Sequence, residues 1–229
     1  MPTHGLPSDY DPGWEVTVAD RKRAASIFDA LKSAYGTPGT VLLYSNPLEL
    51  ALATILSAQC TDERVNLVTR SLFTKYRSPE DYLRVPAEEL EADIHSTGFF
   101  RNKTRSIRGL CRKILDNHGG AVPDTMEELV QLPGIGRKTA NIILSNAFGK
   151  VEGIAVDTHV GRLASRLGFS SHSDPIKIEK DLMSLFPRNR WMEVTYLLIE
   201  HGRAVCKARK PRCAECFLSA LCPSAHSIS

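Results

Sequence analysis

No apolar run in this chain approaches the roughly 18 residues that a membrane-spanning helix needs, and Met1–Pro12 lacks the charged start and apolar centre of a secretory signal. Both absences lead to the expectation of a cytoplasmic protein. Charge of one sign is also scarce: the formal net charge is +3 over 229 residues. That balance permits nucleic-acid binding without arguing for it, so any cationic footprint has to be local. Strand signals are few, and the short apolar runs with strand character are Val41–Tyr44 and Gly153–Val156, which makes the expected fold all-α. At 42% hydrophobic residues the chain can nevertheless bury one large core or two smaller ones. Cysteine is sparse until the end. Cys60 and Cys111 stand alone, whereas Cys206, Cys213, Cys216 and Cys222 crowd together, a pattern that reads in a reducing compartment as metal ligation rather than disulfides.

What is present is a succession of helix signals. Residues 1–17 hold Pro2, Gly5, Pro7, Pro12 and Gly13 with no apolar period, which predicts a flexible N-terminal arm. From Thr17 to about Tyr35, Ala24, Ile27, Phe28, Leu31 and Ala34 recur at helical spacing. Asn46-Pro47-Leu48-Glu49 is a helix start, and the apolar stretch Leu50–Ala58 behind it predicts a core helix. A polar break, Ser57–Asp62, then reopens a helix through Leu72. Ser78-Pro79 and Pro86-Ala87 each begin a short helix, and a longer one is expected from Lys103 to about His118, burying Ile107, Leu110, Cys111, Ile114 and Leu115. Thr125 and Glu128 have capping-box spacing for a helix to about Gln131. Beyond it come a helix out to Gly149, an amphipathic helix after Asp157, and two more over 175–186 and 190–202.

Between two of these helices lies Leu132-Pro133-Gly134-Ile135-Gly136-Arg137-Lys138-Thr139-Ala140-Asn141. Without Cβ atoms, Gly134 and Gly136 let backbone N–H groups approach an anion at a helix start, and a nucleic-acid phosphate is the natural one. An ordinary αα turn is the plain alternative for Gly-x-Gly alone. Lys138 falls in the first turn of the second helix, at its positive end and beside Arg137. Both surroundings disfavour the ammonium, as a nucleophilic amine requires, because an unperturbed lysine titrates near about 10.4. A phosphate contact or a solvated lysine is the bland reading. Asp157, ahead of Thr-His-Val-Gly-Arg-Leu, is a good N-cap, and a carboxylate held that way is also fixed and ionised for chemistry. The spacing C-x6-C-x2-C-x5-C places four thiolates within 17 residues, with zinc as one candidate metal. Lys207, Arg209, Lys210 and Arg212 lie between the first two cysteines and form the local cationic footprint.

Taken together, Leu-Ser-Ala-Gln (56–59), Leu-Pro-Gly-Ile-Gly-Arg-Lys (132–138), Val-Asp-Thr-His (156–159) and the four cysteines resemble the endonuclease III family of DNA repair glycosylases, over about residues 20–224. The resemblance implies a two-lobed helix-hairpin-helix DNA glycosylase fold. A six-helix barrel domain would span 45–151, and a discontinuous 4Fe-4S cluster domain would join 18–44 to 152–229. It implies a bifunctional DNA glycosylase and abasic-site lyase for oxidised pyrimidines, with Lys138 and Asp157 catalytic and Cys206, Cys213, Cys216 and Cys222 holding a 4Fe-4S cluster. Gly134, Gly136, Arg137, Lys207, Arg209 and Lys210 would contact DNA. Gln59 and Phe99 would fill the gap left by a flipped base. Leucine is frequent in the family at the second of these places, and a core aromatic is the alternative for Phe99. The expected partner is double-stranded DNA carrying oxidised pyrimidines or abasic sites, met by a monomer in a bacterial nucleoid. Monofunctional adenine glycosylases of the same superfamily carry a glutamate where this chain has Ala58-Gln59-Cys60. A pyrimidine-dimer glycosylase and a non-catalytic DNA-binding or redox-sensing protein are the competing readings, and the joint presence of Lys138 and Asp157 argues against the latter.

Overall fold

A computed structural model of the chain describes residues 16–225 and 227. The arm expected over residues 1–17 therefore lies, up to residue 15, outside the described residues. The helices follow in the order α1 (Val18–Tyr35), α2 (Pro47–Leu56), α3 (Asp62–Lys75), α4 (Pro79–Arg84), α5 (Ala87–Ile94), α6 (Phe100–His118), α7 (Met126–Leu129), α8 (Arg137–Ala147), α9 (Thr158–Arg166), α10 (Pro175–Leu185) and α11 (Trp191–Ala204). Among the described residues there is no strand, and no helix is long and apolar enough to cross a membrane.

Most helix starts are closed by the side chains that the sequence offers. Thr17 and Asp20 form a reciprocal capping box on α1, Asn46 Oδ1 accepts from Glu49 N–H at 3.0 Å ahead of Pro47, and Thr125 caps α7. Helix α7 is one turn long and stops at Leu129, short of the expected Gln131. The reason is a switch to tighter turns: Gln131 N–H donates to Glu128, Leu132 N–H to Leu129 and Ile135 N–H to Leu132, which carries the chain into the hairpin. Helix α6 starts three residues before the expected Lys103, because Phe99 already accepts from Lys103 N–H.

The chain divides into two compact units, one running from Thr40 to Lys150 and one joining the segment that ends at Gly39 to the segment that begins at Val151. Val41–Tyr44 sits with the first of these units. Leu42 is buried in its core, and Tyr44 donates its hydroxyl to the Asn146 carbonyl at 2.9 Å. The run is extended but forms no strand, because one side chain takes the place of a neighbour: Asn66 accepts from Leu43 N–H at 2.9 Å and donates to Val41 O at 2.8 Å. Gly153–Val156 is likewise irregular, and Ala155 N–H donates to Thr195 Oγ1 rather than to a ladder.

Each unit has its own apolar cluster. In the Thr40–Lys150 unit it is built around α2, where Leu50, Ala51, Leu52, Ala53, Ile55 and Leu56 are all buried on helices α3, α6 and α8. A helix that is apolar on every side has no solvent face to place, so its ends are the parts that reach the surface. In the other unit α1, α9, α10 and α11 pack around Leu163, Phe169, Leu182 and Leu197. Leu52 is fully buried, and Leu52→Ala is expected to cost about 2–5 kcal/mol, measured by chemical unfolding; a loss below about 1 kcal/mol would mean that α2 is not the centre of this core.

Candidate active site and cysteine loop

The two glycines of the hairpin have different physical causes. Gly134 has φ +82°, and a Cβ there would meet Ser106 Cβ at 3.0 Å and Ile55 Cδ1 at 3.2 Å, so the fold itself requires glycine. Gly136 is the N-cap of α8 with an ordinary extended φ of −95°, and a Cβ would meet nothing within 4 Å. No side chain caps α8. The first turn of that helix thus lies at a positive helix end behind a residue with neither a capping side chain nor a Cβ. Arg137 and Lys138 occupy this turn, and both are exposed.

Gln59 and Phe99 lie in the same unit. Both are exposed, and both hold the left-handed backbone region that favours glycine, with φ +53° and +48°. Phe99 is 61% exposed, which removes the core-aromatic alternative; its neighbour Phe100 packs on the core instead. A non-glycine residue in this region costs about 1–3 kcal/mol and persists where the surroundings over-determine it. The residue missed by sequence reasoning lies between the two loops. Lys103 is buried, and its Nζ donates to Leu56 O and to Thr97 O, each at 2.8 Å. Burial pushes its pKa below the ordinary lysine value, with the Cys60 thiol acting in the opposite sense.

Asp157 belongs to the other unit. It caps α9, with Oδ1 accepting from His159 N–H and Val160 N–H, each at 2.8 Å. Both bonds fall on one oxygen. The same helix fastens the cysteine loop: Arg162 Nε donates to Cys206 O at 3.1 Å, Arg166 Nη1 to Lys207 O at 2.7 Å and to Cys206 Sγ at 3.2 Å, and Arg166 Nη2 to Ala208 O at 3.0 Å. The sequence pattern marks this stretch as an amphipathic helix, and the reach of its arginines to the cysteine loop is a tertiary feature.

Cys206, Cys213, Cys216 and Cys222 line one small cavity of about 20 Å³, together with Arg166, His201, Leu163 and Leu218. All four are thiols rather than disulfides. Among the described residues no three His, Cys, Asp or Glu side chains are gathered closely enough to hold a single metal ion; what the cysteines share is the cavity. Burial pushes the Cys216 and Cys222 thiols up, and the charges of the other cysteines act in the same sense. A cationic group in the cavity would reverse both effects, so the donor set fits a thiolate-bound metal group. His201 backs Cys216, with Nε2 3.4 Å from its sulfur and Nδ1 3.0 Å from the Tyr35 hydroxyl. Burial lowers the His201 pKa to about 4, which keeps the ring neutral at physiological pH. Lys207, Arg209 and Lys210 project from the loop as exposed cations, Lys210 with φ +52°. Arg212 is turned to structural use, donating to Ala204 O at 2.5 Å.

Residues 52–188 match the HhH-GPD superfamily of base excision DNA repair proteins, and residues 206–222 match the iron-sulfur binding domain of endonuclease III. The chain is 52% identical to endonuclease III of Synechocystis sp. over 207 residues, covering 90% of this chain and 94% of that protein. It is 53% identical to endonuclease III of Bacillus subtilis over 182 residues, 79% and 83% of the two chains. Among solved structures, a non-covalent endonuclease III–DNA complex superposes with a TM-score of 0.85 at 45% identity, covering 92% of this chain and 97% of that one. A trapped endonuclease III–DNA covalent intermediate gives 0.86 at the same identity, over 92% and 98%. This chain belongs to the endonuclease III family.

The strain at the two exposed residues is directly testable. Phe99→Gly relieves a left-handed φ and removes no core contact, so its stability should stay within about 0.5 kcal/mol of the parent or rise, measured by urea unfolding. A loss greater than about 1.5 kcal/mol would show that the ring has a packing role.

Proposed function

We propose that the chain is a bifunctional DNA glycosylase and abasic-site lyase of base excision repair, acting on oxidised pyrimidines in double-stranded DNA. The observation that carries the reading is the start of α8: an exposed lysine, Lys138, stands in the first helix turn behind Gly136, an N-cap with no side chain and no neighbour within 4 Å of a Cβ position. The hairpin holds the DNA backbone through Gly134, Gly136 and Arg137, and the exposed Lys207, Arg209 and Lys210 add cationic contacts to phosphates. Gln59 and Phe99 occupy the gap in the duplex once the damaged nucleotide is flipped out.

The chemistry then runs through one nucleophile. The unprotonated Lys138 amine attacks C1′; the glycosidic bond breaks, and its electron pair leaves with the base, which takes up a proton. The sugar ring opens to a Schiff base between C1′ and Nζ. That cation makes the C2′ proton acidic; its removal drives electrons toward C3′ and expels the 3′ phosphate, cutting the strand 3′ to the lesion. Asp157 offers a carboxylate fixed by two backbone N–H groups through Oδ1. On this reading its charge balances the positive charge that develops on the sugar and steers the lysine. The Thr40–Lys150 unit corresponds to a six-helix barrel, and the other unit to a 4Fe-4S domain with Cys206, Cys213, Cys216 and Cys222 as ligands. When bound, the cluster stiffens the loop that carries the cations.

Borohydride trapping tests the reaction. The parent should give a covalent adduct with abasic and thymine-glycol duplexes, and Lys138→Gln should abolish the adduct while retaining binding; an adduct that survives the substitution places the nucleophile elsewhere. Asp157→Asn retains a capping side chain, so its melting temperature should be unchanged while turnover falls by about 100-fold or more. Purified protein should be brown, with iron and acid-labile sulfide in equal amounts at about four per chain. A colourless protein holding one zinc would overturn the cluster assignment.

A further inference from the structure

The two residues assigned to the gap in the duplex sit on loops far apart in sequence, and one side chain is bonded to both. The last turn of α2 leaves carbonyls without an intrahelical partner. Cys60 N–H turns back to Ser57 O, and the Leu56 carbonyl is taken by Lys103 Nζ. The same ammonium binds Thr97 O, at the end of the turn His95–Thr97 that precedes Gly98 and Phe99. Leu56 is three residues before Gln59, and Thr97 is two before Phe99. The backbone N–H of Lys103 also binds Phe99 O at 3.1 Å, so Lys103 grips the second loop on both sides of Gly98.

Lys103 is an expensive way to fill this space. It is 4% exposed, and among the described residues no carboxylate pairs with it; its ammonium binds carbonyls at the ends of two helical segments, where a cation is favoured. A buried charge gives less stability than a well-packed apolar side chain of similar volume. What it supplies that an apolar chain cannot is a directional bond to two loops at once.

We propose that Lys103 is a positioning residue for gap filling, its ammonium clasping the Leu56 and Thr97 carbonyls so that Gln59 and Phe99 are presented to the duplex as one preset unit. The proposal rests on the reading of Gln59 and Phe99 as gap-filling residues. Both adopt left-handed backbone that relaxes if its loop is released, and the clasp holds the residues just ahead of each. Preset loops spare the ordering that insertion would otherwise require.

The test separates steps that need gap filling from one that does not. Single-stranded DNA with an abasic site has no opposing base to leave unpartnered, so cleavage there draws on Lys138 chemistry alone. Lys103→Met keeps the apolar stem and removes the clasp. It should lower kcat/KM on a thymine-glycol duplex about tenfold or more, weaken the rise in fluorescence of 2-aminopurine placed opposite the lesion, and leave single-strand abasic cleavage within about twofold. Added to Gln59→Ala/Phe99→Ala, it should cost nothing further, since its action passes through those side chains. An equal loss on the single strand, or full additivity with the double variant, would make Lys103 a residue of the fold and overturn the proposal. If the double variant lowers duplex activity and Lys103→Met does not, the clasp alone is wrong. If the double variant itself leaves duplex activity intact, the gap-filling reading fails and takes the clasp with it. Should Lys103→Met not fold, Lys103→Gln, which keeps a two-donor head on a shorter stem, carries the same comparison with a smaller duplex loss.

Discussion

At the start of α8 the backbone N–H groups of the first turn have no carbonyl of their own helix to meet, and Gly136 supplies neither a capping side chain nor a Cβ in front of them. At six other helix starts the same deficit is closed by a side chain: Thr17, Asn46, Thr61, Thr125, Asp157 and Asp174 each accept from the turn that follows. Helices α5, α6 and α11 also start without a side-chain cap, but behind Pro86, Phe99 and Arg190, whereas α8 starts behind a glycine, which lets an anion approach closely. The contrast also resolves the Gly-x-Gly pair. Gly134 is explained by Ser106 and Ile55 without any ligand, whereas a Cβ at Gly136 would meet nothing within 4 Å. One glycine serves the turn; on the proposed reading the other serves the phosphate that approaches it.

Helix α9 performs a comparable division at its two ends. Its N-terminus is closed by Asp157 through a single carboxylate oxygen, so the capping that fixes the group does not consume the whole of it. Four residues apart on its outer face, Arg162 and Arg166 reach the carbonyls of Cys206, Lys207 and Ala208. The carboxylate and the base of the cationic loop are therefore held by one short helix. A change in the cysteine cavity has a direct mechanical route to Asp157, because Cys206 is bonded by Arg162 and Arg166 of the helix that Asp157 caps.

Helix positions were largely legible in the sequence, because caps are local chemistry: Thr17, Asn46-Pro47, Ser78-Pro79 and Asp157 all begin helices where their side chains can close the first turn. Boundaries set by tertiary contacts were not. Helix α7 is cut short by the hairpin that follows it, and Val41–Tyr44 has its strand-like backbone satisfied by Asn66 more than twenty residues away. Phe99 and Phe100 could not be told apart by type, and the structure exposes the first and packs the second. Lys103 carried a signal that composition hides. It lies one turn before Ile107 on the stripe that continues through Leu110, Cys111 and Ile114, and a lysine on a buried stripe is anomalous enough to demand a partner. His201, on the buried face of α11 with Val194, Leu197 and Leu198, is the same kind of anomaly.

Backbone strain gives an independent line to the residues proposed to meet DNA. Where this chain needs a positive φ it ordinarily uses glycine, at Gly36, Gly98, Gly119, Gly120, Gly134, Gly149 and Gly168. Among the described residues three positions break that habit, Gln59, Phe99 and Lys210, and all three side chains are exposed. Glycine at any of them would be the less strained choice, and no core contact opposes it. A side chain kept in a strained and solvent-facing place is explained by what it touches outside the protein. Gln59 and Phe99 are the proposed gap-filling residues and Lys210 a proposed phosphate contact, and their dihedral angles are independent of both assignments. Within each unit the strained side chain thus carries a physical cost, which the fold bears where a glycine would have avoided it.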